Sequence, residues 1–282
     1  MQLIKDQEFG GERPLYTAHD VELDNVTIHL GESSIKESGN ILAHHCRFEG
    51  KYVLWECKKF KVENSYFAES ARSSLWYSRD CTMNDCQVDA PKMFRRTTGI
   101  EVNRTQFPNA LETFWDCSKI RLRDVKIEKA DYLFMHCSDI DIADYHQDGN
   151  YSFQYAKNVV IRNAVINSKD AFWESENVTI YDSELNGEYL AWYGKNIRLV
   201  RCHLTGEQLL CYVDGLVLED CTFGPDANLM FEYSTVEATI KGDVTSIKNP
   251  SAGHIRVAGK IGELIIDENQ KQPADCKVSA TR

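Results

Sequence analysis

The sequence has no apolar run approaching the eighteen or so residues that a membrane helix requires, which excludes a helical span. It has no basic block either. With 32 Lys and Arg against 43 Asp and Glu, the formal charge is −11, so nucleic acid and anionic membranes, which are held by clustered cations, are not expected partners. The start of the chain, residues 1–9, lacks the basic-then-apolar order of a secretory leader. Cysteine is plentiful at 10 residues, yet no CxxC pair occurs, and a chain of 282 residues does not need a disulfide framework. A reduced, cytoplasmic setting is therefore expected. The 43% hydrophobic and 27% charged fractions are those of a globular chain with ample mass for a core.

What is present is a repeat. The segment from Ile120 to Ile127 recurs at Val21, Ile41, Phe60, Cys81, Ile100, Ile140, Val159, Val178, Ile197, Leu216 and Val236, always at intervals of 19–21 residues. Two residues after each start stands a second apolar residue, such as Leu23, Val62, Val102, Leu122 or Ile142, with polar residues between, as in Glu101, Arg121 and Asp141. This alternation marks a half-buried strand, and those three charges are predicted to sit on successive rungs and to pair. Four residues after the start come Asn25, Asn64, Asp85, Asp124, Asp144, Asn163, Asp182 and Asp220, residues that suit a repeated corner because they tolerate left-handed backbone. A large apolar column follows (Ile28, Phe48, Phe67, Phe107, Ile127), which predicts a second strand. Six residues before each start stand Leu54, Leu75, Phe94, Phe114, Phe134, Phe153 and Phe172, read as a third strand. A leucine-rich repeat is the rival, since 197–204 fits its core pattern. However, the Asn/Cys position of that motif never holds Asn here, and the rest of each coil is aromatic rather than helix-forming.

The expected fold is therefore all-β: a single-stranded right-handed parallel β-helix of about 12 coils of 19–21 residues. Residues 1–14 are expected to cap its start, 15–244 to form the helix, and 245–282 to form a last capping coil and a loose polar tail.

Segments 158–166 and 177–185 resemble coils of the pectin-lyase-like β-helix superfamily, and the short coils with repeated Phe-Trp-x-Cys segments resemble a bacterial family of that superfamily without assigned function. The resemblance spans about residues 15–245 and implies fold rather than activity. Characterised members of the superfamily are often polysaccharide lyases, hydrolases or epimerases. Their signatures (Asn-Thr-Asp, Asp-Asp, Gly-His-Gly, Arg-x-Pro-x-x-Arg) are missing here, as are the long loops that wall a substrate groove.

Chemistry is best sought five residues before each start, where all five tryptophans fall: Trp55, Trp76, Trp115, Trp173 and Trp192, in a column that also holds Lys36, Arg95, Met135 and Gln154. The charged companions argue against a core column and for an exposed or groove-lining strip on which sugar rings could stack. Trp55, Trp76, Arg95, Trp115, Trp173, Trp192 and Tyr193 are the candidate ligand-binding residues. The adjoining column supplies Arg96, Asp116, His136, Tyr155 and Glu174 as candidate catalytic residues. His136 or Tyr155 would abstract a proton and Arg96 would neutralise a sugar carboxylate. The competing reading is a polar ladder without catalysis. A glycosidase pair is not expected, because Asp116 and Glu174 lie three rungs apart, roughly 14 Å, beyond the reach of the two carboxylates such chemistry uses.

No metal site and no cofactor are expected. The stacked pairs Cys117/Cys137 and Cys202/Cys221 lie in columns of small core residues, and no cofactor fingerprint occurs. His44 and His45, being adjacent, are expected to point to opposite faces. Two function classes follow: a protein that binds or processes an oligosaccharide on the aromatic strip, or a structural module that uses the strip as a homo-oligomer interface.

Overall fold

In a computed structural model, Met1–Thr281 are described. Arg282, the last residue of the expected tail, lies outside the described residues. Every regular element among the described residues is a strand, and no helix is long and apolar enough to cross a membrane. The chain divides into two compact units, residues 1–148 and residues 149–282.

In the first unit, strands Gln2–Lys5, His19–Asp24, Gly39–His44, Lys58–Glu63, Arg79–Asn84, Thr98–Phe107, Ser118–Ile127 and Ser138–Asp148 pair in parallel, one to the next. The register joins Val21, Ile41, Phe60, Cys81, Ile100, Ile120 and Ile140 into one column, as the repeat predicts. In the second unit, Lys157–Asn167, Glu176–Tyr181, Lys195–Val200, Asp214–Phe223, Thr235–Ile240, Ala252–Val257 and Lys277–Ala280 continue the same parallel pattern. Each unit is a right-handed parallel β-helix, the architecture that the superfamily resemblance implies.

The coils run further at both ends than the repeat count. Segment 1–14, expected as a cap, carries Gln2–Lys5 and Glu8–Glu12, which pair in parallel with His19–Asp24 and Thr27–Glu32. The tail expected to be loose returns as Lys277–Ala280, paired with Ala252–Val257.

Each core is built by stacking like on like. Leu23, Val62, Val102, Leu122 and Ile142 are buried on one column. Phe94, Phe114 and Phe134 stack nearly parallel with centroids 4.6 and 4.7 Å apart, and Phe153 stacks on Phe172 at 4.7 Å. These separations match the roughly 4.8 Å between hydrogen-bonded rungs. The predicted Asn/Asp corner is left-handed throughout, with φ of 53° at Asn25, 52° at Asp85, 53° at Asp124 and 50° at Asp182. Coils tie together there: Arg104 donates through Nε and Nη2 to both oxygens of Asp85 at 2.7 Å, and Arg201 does the same to Asp182 at 2.6 and 2.7 Å.

Two expectations need correction. Glu101, Arg121 and Asp141 do stand in register, but Asp141 bonds Arg123, whose Nη2 is 2.7 Å from its Oδ2. The third side of each coil is not a regular strand. Among the described residues it forms strands at Leu75–Trp76 and Phe94–Arg95 and, in the last coils, at Val244–Lys248 and Ile261–Ile265. Elsewhere it alternates in hand: Phe114 and Asp116 have φ of 58° and 51°, and Phe172 and Glu174 have 60° and 49°. Successive amides still point up and down the stack. Trp115 donates to Phe94 O on one rung, and Asp116 donates to Met135 O on another. Side chains therefore alternate as on a strand, which is why the two backbones share one sequence pattern.

Candidate functional site

The third side places the aromatic column midway between two left-handed corners. All five tryptophans are half-buried, so the strip is neither core nor a set of free rings. In the first unit Trp55 and Trp76 lie with centroids 5.1 Å apart. Arg95 occupies the next rung, its guanidinium 4.4 Å from the Trp76 ring centre and 4.7 Å from that of Trp115. Two faces of π-density thus hold one cation. Arg95 also reaches Glu112 at 3.5 Å, while its buried Nε has no hydrogen-bond acceptor. In the second unit Trp173 stacks on Trp192 at 5.6 Å, Trp192 meets Tyr212 at 5.2 Å, and Tyr193 stacks on Tyr212 at 4.8 Å.

The indole N–H groups fix the orientation of the rings. Trp76, Trp115 and Trp192 donate to the carbonyls of Lys92, Tyr132 and Gln208 at 2.6, 2.7 and 2.6 Å, each in the following coil. Held this way, ring faces point along the stack toward their neighbours, and ring edges point outward. Tyrosines frame the column: Tyr52 stands edge-on to Trp55 at 5.0 Å and Tyr189 edge-on to Trp192 at 5.2 Å. This second flank was not expected from the repeat. A tyrosine three residues before the aromatic column, as at Tyr52, Tyr132, Tyr151 and Tyr189, was its signal.

The candidate catalytic column is itself a left-handed corner. Arg96, Asp116, His136, Tyr155 and Glu174 have φ of 49°, 51°, 54°, 58° and 49°, and all are exposed. In the first unit Arg96 Nε stands 3.8 Å from Asp116 Oδ2, with both side chains open to water, and His136 lies in the next coil. In the second, Tyr155 and Glu174 occupy successive rungs, and a Glu174 carboxylate oxygen accepts from Trp173 Nε1 at 3.3 Å. An open hollow of about 480 Å³ in the first unit lies instead over the outer strand face, lined by Asp80, Thr82, Glu101, Lys119, Arg121 and Asp141. None of the candidate catalytic residues lines it.

The expectation for the paired histidines fails. His45 occupies the corner with φ of 56°, so the imidazoles of His44 and His45 come to the same side, centroids 5.4 Å apart. The cysteines behave as small core residues, since nine of the ten are buried and all are free. Cys137 Sγ donates to Phe114 O at 2.9 Å and accepts from Cys117 N at 3.3 Å.

The family described as "Protein of unknown function (DUF3737)" matches residues 2–279. The chain belongs to this family. No curated protein matches it. Among solved structures it is similar to PfbA, a surface adhesin of Streptococcus pneumoniae, at 10% identity and a TM-score of 0.47, covering 96% of this chain and 84% of that one. It is also similar to the A-module of the mannuronan C-5 epimerase AlgE4 of Azotobacter vinelandii, at 9% identity and a TM-score of 0.30, covering 99% and 91%. A third likeness, to the pentapeptide repeat protein HetL of Nostoc, has 12% identity and a TM-score of 0.25, covering 83% and 89%. At these values a functional reading of this DUF3737 chain rests on its own residues.

Proposed function

We propose that this DUF3737 protein is a non-catalytic interaction module that docks a protein surface, a second copy of itself being the first partner to test, on the aromatic sides of its coils. One observation carries the reading: the rings already cover one another. A sugar ring stacks on an open aromatic face, whereas Trp76, Arg95 and Trp115 in one unit and Trp173, Trp192, Tyr193 and Tyr212 in the other turn their faces to each other. What they turn outward is a row of ring edges between tyrosines and charged corners. That mixture of Trp, Tyr and Arg is enriched in protein interfaces. Prestacking leaves little rotamer freedom to lose on docking.

The corner residues Arg96, Asp116, His136, Tyr155 and Glu174 act in this reading as the polar rim of the interface. A second reading, an oligosaccharide bound along the same strip, is favoured by the exposure of Tyr77 and Tyr193, at 42% and 48%. Sedimentation velocity across a range of concentrations separates the two. A dimer that weakens in Tyr77→Asn or Tyr193→Asn supports the interface. A strict monomer whose tryptophan fluorescence is protected from acrylamide by one sugar supports the glycan and ends the first reading.

A further inference from the structure

The corner that brings His44 and His45 to one side also brings them to a carboxylate. His44 ends the strand Gly39–His44, and its partner on the preceding rung is Asp24. Asp24 Oδ1 lies 3.6 Å from His44 Nδ1 and 3.4 Å from His45 Nδ1. One ligand atom from each of the three residues falls within 4.8 Å of the others. A tetrahedral ion bonded at about 2.0–2.1 Å sets its ligand atoms roughly 3.3 Å apart, so the two edges through Asp24 already have nearly that length.

The surroundings point the donors inward. Glu22 Oε1 stands 3.0 Å from His44 Nε2. A carboxylate there takes the N–H of that nitrogen and leaves the Nδ1 lone pair facing Asp24, the arrangement that orients metal-ligating histidines. Lys5 Nζ holds the other oxygen of Asp24, Oδ2, at 2.8 Å and leaves Oδ1 free to ligate. With the imidazoles neutral, Asp24 and Glu22 outweigh Lys5, so the cluster is net negative. Asp24 and His44 are half-buried, with side chains 16% and 25% exposed, while His45 at 59% leaves a path from solvent. The neighbouring Cys46 takes no part, because its Sγ turns inward to the Leu23 and His44 carbonyls.

We propose that Asp24, His44 and His45 bind a zinc ion, with water completing the tetrahedron and Glu22 as the positioning residue. Two imidazoles and one carboxylate suit zinc better than calcium or magnesium, which take oxygen ligands, or copper(I), which prefers sulfur. Bound there, the ion clips one coil of the first unit to the next, independently of the aromatic faces.

The test is calorimetric titration of zinc chloride into the full chain, carrying no added histidine tag and stripped with EDTA. One equivalent should bind. His44→Gln and His45→Asn should each weaken binding by tenfold or more, and Glu22→Gln by about ten- to a hundredfold. Cys276→Ser should leave the titration unchanged. Asparagine tolerates the left-handed corner, so His45→Asn should keep the wild-type circular dichroism and remain interpretable. Cobalt(II) in place of zinc should give a visible d–d band without thiolate charge transfer. Absence of stoichiometric zinc binding, full binding by His45→Asn, or loss of binding in Cys276→Ser would each overturn the proposal.

Discussion

Arg95 between Trp76 and Trp115 shows how much a single side chain can do in a stacked coil. It fills the rung where a ring would otherwise sit, and it contacts π-faces on both sides. Arg95→Ala leaves a gap in the column and is expected to cost about 1–2 kcal/mol, read as a lower urea midpoint. The buried thiols make a second prediction. Burial pushes Cys46 up to about 11, and Cys57, Cys86 and Cys211 up to about 12. A thiol with a raised folded pKa favours the fold in its neutral form. Its contribution is complete below the unfolded value, near 8.5, and is lost as pH rises through the folded value. Stability should therefore fall from about pH 9 toward pH 12, and a urea midpoint unchanged between pH 7 and pH 11 would contradict this. Native alkylation at pH 8 should modify no cysteine except Cys276, the one thiol that is not fully buried, as intact-mass spectrometry would show.

At the scale of the element, corners and stacks divide the work. Asp124 sits at φ of 53°, a backbone that glycine enters freely and a β-branched residue resists. Asp124→Gly should be nearly neutral, while Asp124→Val should destabilise by about 1–2 kcal/mol in denaturant titration. Within the core, Phe114 lies between Phe94 and Phe134, and Phe114→Ala should cost about 3–5 kcal/mol. The first two strands of each coil were legible because period-two burial and the Asn/Asp corner leave distinct marks on the sequence. The third side was misread as a strand because backbone of alternating hand also sends side chains alternately in and out, as at Phe114, Trp115 and Asp116. The same handedness hid the histidine cluster. Adjacent residues diverge on a strand, but His45 stands on the corner column, where the rule does not hold. The presence of Asn25, Asn64 and Asp85 in that column was the available clue.

At the scale of the whole molecule, the steady 19–21-residue period determined the fold, since a chain repeating one coil can bury its apolar columns only against copies of that coil. The ends were less legible. The segment 1–14 and the strand Lys277–Ala280 join the parallel ladders without the full template, and it is register rather than motif that places them there. The aromatic strip was found from sequence because all five tryptophans share a column, yet the direction of their faces was not. That direction depends on indole N–H bonds to Lys92, Tyr132 and Gln208, backbone carbonyls that carry no residue signature. Sedimentation velocity of wild type beside Tyr193→Asn is the sharpest test of the proposal that these sides are prestacked interfaces. Wild type should self-associate in a concentration-dependent way, and Tyr193→Asn should weaken this by tenfold or more while circular dichroism stays unchanged. A wild-type chain that remains monomeric at every concentration would contradict it.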